Sequence, residues 1–297
     1  MTATALKPSA FIALLLLACM FASNHIAARI AFDHGVDVVT AVAVRSLATA
    51  LVVSLLVAWH RVPLVHSSRH RRFMVLIALL VTVQSVCLYA AVARMPVGLA
   101  LLVFNSYPIW ATLAARILYR RRPERAALIA MPVILFGLAL ALGIVELIDG
   151  APGRGAAIAP GVAFALGAAT SFGLVLALTQ HEVADLDGRV RSAFTMAVVG
   201  VLALATALAG GGLHWPDAPA GWWGLVALSI LYGTAFTAVF TLLPKLGAVS
   251  NSPILNVEPV AALALGWLVL DQAVSPLQVV GALIVVAAVM ALGLRKR

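Results

Sequence analysis

Long apolar stretches alternate with short polar loops along almost the whole chain. A transmembrane helix needs about 20 apolar residues, whereas a strand of a membrane barrel has about ten residues of alternating polarity. The stretches here are long and continuously apolar, so the pattern predicts an all-α membrane protein with ten transmembrane helices. The predicted spans are Ser9–Ala31, Val38–Trp59, Phe73–Ala93, Val97–Tyr119, Arg125–Val145, Ala157–Gln180, Arg191–Ala209, Gly221–Pro244, Asn251–Leu270 and Pro276–Leu294.

The charges of the loops predict how these helices are oriented. Most of the 20 basic residues fall in alternate loops or at the termini, and the other loops hold only Arg29, Arg94 and Arg154. Because Lys and Arg are retained on the cytoplasmic side, both termini should be cytoplasmic. We therefore predict a multi-pass protein of a bacterial-type inner membrane, whose basic loops contact anionic lipid headgroups.

Composition supports this class and argues against several others. Hydrophobic residues make up 63% of the chain and charged residues 10%, too few to cover a soluble domain of 297 residues. The net charge of +9 does not predict nucleic-acid binding, because the basic residues lie in loops on one side. Cys19 and Cys87 both lie in apolar spans and read as small buried side chains. No cofactor is expected, and nothing reads as catalytic or nucleotide-binding, so an enzyme is not predicted.

The two halves of the chain resemble each other after a shift of 151 residues. Phe21 then falls on Phe172, and Asn105-Ser106-Tyr107-Pro108 falls on Asn256-Val257-Glu258-Pro259. Each half holds five spans, an odd number, so the second half enters the membrane from the opposite side. This predicts two inverted five-helix repeats around a central cavity, a common plan of secondary transporters. The predicted repeats are residues 1–146 and 157–297.

Short motifs occur in a characteristic order along the chain. Span 1 ends with Phe21-Ala22-Ser23-Asn24, span 2 contains Val44-Arg45-Ser46, and span 9 contains Leu255-Asn256-Val257-Glu258-Pro259. With the five-plus-five plan, these motifs resemble the drug/metabolite transporter superfamily, in its ten-helix EamA-type branch. The resemblance covers essentially the entire chain. It implies a secondary transporter that is nearest in kind to exporters of amino acids, including aromatic ones.

Two positions depart from the pattern of that family. Trp-Gly is common where Phe21-Ala22 stand, and an acidic residue is common after span 4, where Arg120 stands. These departures weaken the transfer of any particular substrate. We expect alternating-access export of a small organic metabolite by a monomer, driven by the solute gradient or by a proton. The alternatives are a multidrug or other metabolite carrier, a lipid-type flippase, or a scaffold that transports nothing.

Two ionisable residues well inside spans are candidates for the chemistry of transport, since such residues usually face a cavity or a partner. Arg45 is interpreted either as an anion clamp or ion-pair partner, or as a side chain that extends to the outer headgroups. Glu258 is interpreted as a proton carrier, as a contact for a substrate amino group, or as an anchor at a helix break. Pro108 and Pro259 mark that break in the two halves, because proline removes a backbone donor.

Faces that hold both polar and aromatic residues predict where an amphipathic ligand would bind. Phe104 and Tyr107 share a face of span 4, and Tyr232 and Phe236 share a face of span 8. Asn24 could form a hydrogen bond between helices, and the neighbouring His25 could titrate. The predicted cavity lining is Phe21, Asn24, Gln84, Phe104, Tyr107, Phe172, Tyr232, Phe236 and Glu258.

Overall fold

The computed structural model describes residues 8–63, 67–120, 125–141, 154–242 and 257–294. The regular structure within these ranges is helical throughout. The described helices account for ten spans, because α4 and α5 are the two parts of one broken span. The helices are α1 (Pro8–Asp33), α2 (Val38–Trp59), α3 (Ser68–Arg94), α4 (Val97–Phe104), α5 (Tyr107–Tyr119), α6 (Arg125–Ala141), α7 (Arg154–Glu182), α8 (Gly188–Ala209), α9 (Pro219–Leu242), α10 (Glu258–Leu270) and α11 (Pro276–Leu294).

The predicted all-helical membrane fold is confirmed. Within the described ranges, seven spans are long and apolar enough to cross a bilayer, and α6, α10 and α11 are shorter apolar helices. The third span begins at Ser68 instead of Phe73, because the Ser67 side chain accepts a hydrogen bond from the His70 amide and caps a polar first turn. The predicted ends of the fifth and eighth spans, residues 142–145 and 243–244, and the predicted start of the ninth span, residues 251–256, lie outside the described residues.

The interrupted helices show the duplication most directly. A shift of 151 residues maps both ends of α5 onto both ends of α10. Each of these helices has a proline in its first turn. Each also ends at a residue in the left-handed region, Arg120 with φ 51° and Asp271 with φ 52°. The two halves therefore build the same local structure from different side chains.

The packing of the helices relates the two halves by an approximate twofold axis. Helix α2 packs against its own repeat equivalent α8, and α6 packs against its equivalent α11. The contact between α3 and α7 is repeated by the contact between α9 and α1, and that between α5 and α7 by that between α10 and α1. Pairings of this kind follow when two five-helix repeats of opposite orientation face each other, which is the predicted architecture.

The distribution of polar residues is inverted relative to a soluble protein. Large apolar side chains such as Ile117 and Leu268 are exposed on the outside, at 67% and 64%. Polar side chains such as Asn24 and Thr49 are completely buried between helices. Because polar groups inside a membrane protein face a partner or a cavity, the interior of the bundle is where a functional site is expected.

Candidate functional site

Arg45 is the centre of a buried polar cluster between the halves. The residue is 2% exposed, and its Nη2 donates a hydrogen bond to Ser85 Oγ at 3.1 Å. The guanidinium carbon lies 3.8 Å from the ring centroid of Tyr232 and 4.6 Å from that of Tyr89, which are cation–π distances. This enclosure by α2, α3 and α9 excludes the alternative in which Arg45 extends to the lipid headgroups.

The charge of Arg45 is not neutralised within the part of the chain that the structure describes. None of the described carboxylates pairs with it, and its Nε is buried without a hydrogen-bond partner among the described residues. An uncompensated buried charge is costly, whereas a guanidinium presents donors that match a carboxylate. The arrangement is therefore suited chemically to binding an anionic group of a ligand.

A second part of the cluster joins α1 to α3 and α10. Tyr89 donates a hydrogen bond from its hydroxyl to Asn24 Oδ1 at 3.1 Å, and its ring centroid lies 5.4 Å from that of His25. His25 Nε2 lies 3.4 Å from Glu258 Oε1. The His25 side chain is 6% exposed and the Glu258 side chain 21%, so the carboxylate is the more accessible member. The cluster thus contains both a cation, Arg45, and a carboxylate, Glu258, connected through Tyr89 and His25.

Aromatic rings pack together in two places. One group borders the polar cluster, and the other forms a separate aromatic cluster. Phe21 meets Tyr232 edge to face at 6.3 Å, and Tyr232 stacks on Phe236 at 5.4 Å. The second cluster lies where α4, α5 and α7 meet. Its members are Phe104, Tyr107 and Phe172, whose ring centroids are 5.1 to 5.7 Å apart.

The broken span contributes buried polar atoms at the interruption between α4 and α5. Pro108 has no amide hydrogen, so the helical hydrogen-bond pattern cannot continue through it. The Asn105 side chain donates to Leu101 O at 2.9 Å, which satisfies one carbonyl of the last turn of α4. Asn105 Oδ1 and Ser106 Oγ are buried without a hydrogen-bond partner among the described residues. Pro259 lies at the start of α10 in the corresponding position.

The structure brings many of the predicted site residues together in two clusters, and their role in lining a cavity stays a prediction. The sequence reasoning missed Ser85 and Tyr89, which complete the surroundings of Arg45. Ser85 and Tyr89 are four residues apart, so both lie on one face of α3. This shared face is the feature of the sequence that indicates them. The prediction chose the neighbouring face, on which Gln84 lies half-buried, with its Oε1 3.5 Å from Ser85 Oγ.

An open groove of about 480 Å³ lies between α2 and α9 beside the Arg45 cluster. Most of its lining is small, and it includes the exposed side chains of Val52 and Ile230, which are 46% and 62% exposed. The groove therefore opens on the apolar outer surface. The lining residues are Ala48, Val52, Ser229, Ile230, Gly233, Thr234, Thr237 and Ala238.

The ends of α3, α5 and α7 are tied together by Glu182, whose side chain is 7% exposed. It accepts hydrogen bonds from Arg69 Nε at 3.0 Å and from the Tyr119 hydroxyl at 2.9 Å. In the loop that follows, the hydrogen bond from Arg189 lowers the pKa of the Asp187 carboxyl. These contacts fix the end of the bundle at which the basic loops lie.

Comparison with protein families decides the class of this bundle. The model of the EamA-like transporter family matches residues 8–143 and again residues 159–294. The chain belongs to the EamA-like transporter family. The predicted membership of the drug/metabolite transporter superfamily is thereby confirmed, and the protein is a multi-pass membrane transporter of small metabolites. Amino acids as the substrate are not identified by this match.

Solved structures support the fold. A structure that is described only as "Crystal structure of protein" matches with a TM-score of 0.64 and 16% sequence identity. The match covers 95% of this chain and 97% of the other, and 19 solved chains match in total. At this identity the likeness concerns the fold alone. Among curated proteins, no sequence matches the chain.

Proposed function

We propose that this protein exports amino acids with aromatic or hydrophobic side chains across a bacterial-type inner membrane by alternating access. The observation that carries the proposal is the buried guanidinium of Arg45, which has no carboxylate partner among the described residues and contacts two tyrosine rings. A ligand that brings its own carboxylate would supply the missing countercharge. An aromatic side chain on that ligand would extend the ring contacts already present.

The second charge of an amino acid also finds a complementary group. Glu258 is the accessible carboxylate of the cluster, and it is linked to Arg45 through contacts with His25 and Tyr89. In the proposed pose the ammonium group of the substrate contacts Glu258 and the carboxylate contacts Arg45. A lysine could not replace Arg45 in this role, because its ammonium group is a point charge. The planar guanidinium presents N–H donors in the geometry that matches a carboxylate.

The duplication supports an amphipathic substrate. The shift of 151 residues maps Asn24, Arg45 and Ser85 onto Val175, Met196 and Phe236. One half therefore contributes polar groups where the other contributes apolar ones. A ligand bound between the halves would meet charges on one side and rings or apolar chains on the other, as an aromatic amino acid requires.

Alternating access follows in this proposal from the two inverted repeats, which we place at residues 1–146 and 157–297. Two related units of opposite orientation can exchange conformations, and this exposes one central site to each side in turn. The excess of Lys and Arg in one set of loops supports a cytoplasmic location of both termini. A monomer contains both repeats and is proposed as the transport unit.

The test is exchange of radiolabelled L-phenylalanine by purified protein in liposomes. We expect saturable exchange that is inhibited by unlabelled phenylalanine more strongly than by 3-phenylpropanoate or phenethylamine, each of which lacks one charge. Arg45→Gln should raise the KM more than tenfold, whereas the matched control Arg72→Gln changes an exposed arginine and should leave exchange intact. Saturable exchange of no amino acid by wild-type protein would reject the proposed substrate class.

A lipid-type flippase is the second candidate, and the groove between α2 and α9 is the observation that favours it. Its exposed apolar lining would admit an acyl chain from the bilayer while a headgroup reached Arg45. Scrambling of fluorescent phosphatidylglycerol in the same liposomes tests this alternative. Scrambling that depends on Arg45, without amino-acid exchange, would favour the flippase over the exporter.

A further inference from the structure

We infer that His25 and Glu258 form a proton-exchange site, at which the ammonium group of the substrate replaces protonated His25 as the partner of Glu258. The inference rests on the proposed function and assigns to it the ion that drives transport. Its basis is geometric, because Nε2 of a nearly buried histidine lies 3.4 Å from the carboxylate that the substrate would use. One carboxylate cannot fully serve both cations, so the two compete.

His25 contacts an ionisable group through one ring nitrogen only. Its Nδ1 is buried and has no hydrogen-bond partner among the described residues, so no second bond fixes the tautomer of the ring. Its Nε2 faces Glu258, whose side chain is 21% exposed. Histidine is also the side chain whose charge changes most readily near neutral pH.

The other charged and titratable groups around the pair favour the same coupling. Tyr89 on α3 contacts both His25 and Arg45 of α2, and Tyr232 on α9 also contacts that guanidinium. On α1, Arg29 is already paired with Asp33 at 2.9 Å. The described parts of α4, α10 and α11 add no charged residue besides Glu258. When the substrate binds, its carboxylate would supply the countercharge that Arg45 lacks among the described residues.

The exchange balances in charge and in protons. Before binding, protonated His25 and ionised Glu258 form a neutral pair. When the zwitterion binds, its ammonium group pairs with Glu258, its carboxylate pairs with Arg45, and neutral His25 releases one proton to the water-accessible side. Release of the substrate on the other side restores the proton from that side. Each exported amino acid is therefore exchanged for one proton, and one positive charge moves inward.

The competition fixes the dependence of transport on pH. Acid favours protonated His25, so substrate affinity falls on the acidic side and release is promoted there. In the range where His25 is protonated in the free site, competition between one proton and one substrate raises the KM about tenfold for each unit of pH lowered. A more acidic exterior therefore drives export, which agrees with the proposed direction.

The experiment measures proton movement and KM in the same liposomes, with L-phenylalanine as the probe and an entrapped pH-sensitive dye as the reporter. An imposed phenylalanine gradient should drive protons in the opposite direction in wild-type protein. His25→Gln should abolish this proton movement, and the phenylalanine–phenylalanine exchange that remains, at whatever rate, should have a KM independent of pH. His60→Gln, which changes an exposed histidine, is the matched control and should behave as wild type.

The outcomes separate this inference from the proposed function. Wild-type protein that exchanges phenylalanine with a KM independent of pH and without proton movement overturns the proton site but leaves the exporter intact. Proton coupling that survives in His25→Gln also overturns it. Absence of any amino-acid exchange in wild type rejects the proposed function and this inference with it. If His25→Gln does not fold, His25→Asn and the pH dependence of the wild-type KM decide the question.

Discussion

The contact between α5 and α7 gives a stability prediction that can be worked out from distances. Gly173 on α7 faces α5, and a Cβ added to it would lie 2.6 Å from both Trp110 Cβ and Ala111 N. Ordinary van der Waals contacts of a Cβ begin at 3.4 Å. Gly173→Ala must therefore separate the two helices by roughly 1 Å, since main-chain atoms and a Cβ cannot rotate away. Small residues allow such close helix contacts in membranes.

A second glycine of the same helix provides a matched control. A Cβ on Gly167 would find Cys87 Sγ as its nearest neighbour at 3.6 Å, which is an ordinary contact. Both substitutions gain about the same helix propensity, up to about 1 kcal/mol. Overpacking costs typically about 1–3 kcal/mol. The difference in unfolding free energy between Gly173→Ala and Gly167→Ala should therefore isolate the clash, and we expect about 1–3 kcal/mol.

Thermal unfolding of the two purified variants in the same detergent measures this difference. In chains of about 150–250 residues, each kcal/mol of unfolding free energy corresponds to about 2–4 °C in Tm. Gly173→Ala should therefore unfold several degrees below Gly167→Ala. Gly173 adjoins Phe172 of the aromatic cluster, so exchange of phenylalanine should fall in the same variant. Equal unfolding temperatures for the two variants would show that α5 and α7 are not held as closely as described, and the reasoning would fail.

Three further predictions concern charged groups. Arg45→Lys should raise the KM for phenylalanine more than tenfold, because an ammonium group cannot present a planar fork of donors. An unchanged KM would contradict the proposed contact between Arg45 and the carboxylate of the substrate. Glu182→Gln should destabilise the protein by about 1–3 kcal/mol, because it weakens hydrogen bonds to a buried carboxylate. The control Asp185→Asn changes an exposed carboxylate and should change stability by less than about 0.5 kcal/mol. Chemical denaturation of both variants measures the difference. The pKa of Asp187 is lower in the folded protein than in the unfolded chain. Its ionised form therefore contributes stability above the unfolded pKa, and this stability is lost as the pH falls through the folded pKa. Asp187→Asn should remove this acid-dependent loss when unfolding is measured from pH 6 to pH 2.

The membrane fold could be predicted from the sequence because hydrophobic length reports directly on bilayer thickness. The bounds of Val38–Trp59 and Pro276–Leu294 agree with α2 and α11. The third span was predicted too short, because its first turn is polar and hydropathy gives no weight to a serine cap. The interruption at Asn105 was foreseen from Pro108, but the extent of the break depends on how the freed backbone and side-chain groups find partners.

The candidate site could be predicted only in part. Arg45 and Glu258 stand out in the sequence because charge inside a span is costly. Tyr89 does not stand out, because a tyrosine in an apolar helix gives no sign of the helix that it will contact. Its position between His25 and Arg45 depends on how α1, α2 and α3 pack. Periodicity identifies a face of a helix, but only the tertiary structure identifies what that face meets.

The duplication explains why the polar cluster is asymmetric although the scaffold is not. Tyr107 and Glu258 begin equivalent helices and contact equivalent helices. Tyr107 packs against Phe172 of α7, whereas Glu258 lies beside His25 of α1, one turn beyond the repeat equivalent of Phe172. Exchange between two inverted conformations requires that the helices pack alike in both halves. It does not require that the side chains facing the ligand be alike. A single set of charges, with Arg45 and His25 in one half and Glu258 in the other, gives the bound amino acid a fixed polarity, and in the proposed proton exchange it provides one histidine instead of two.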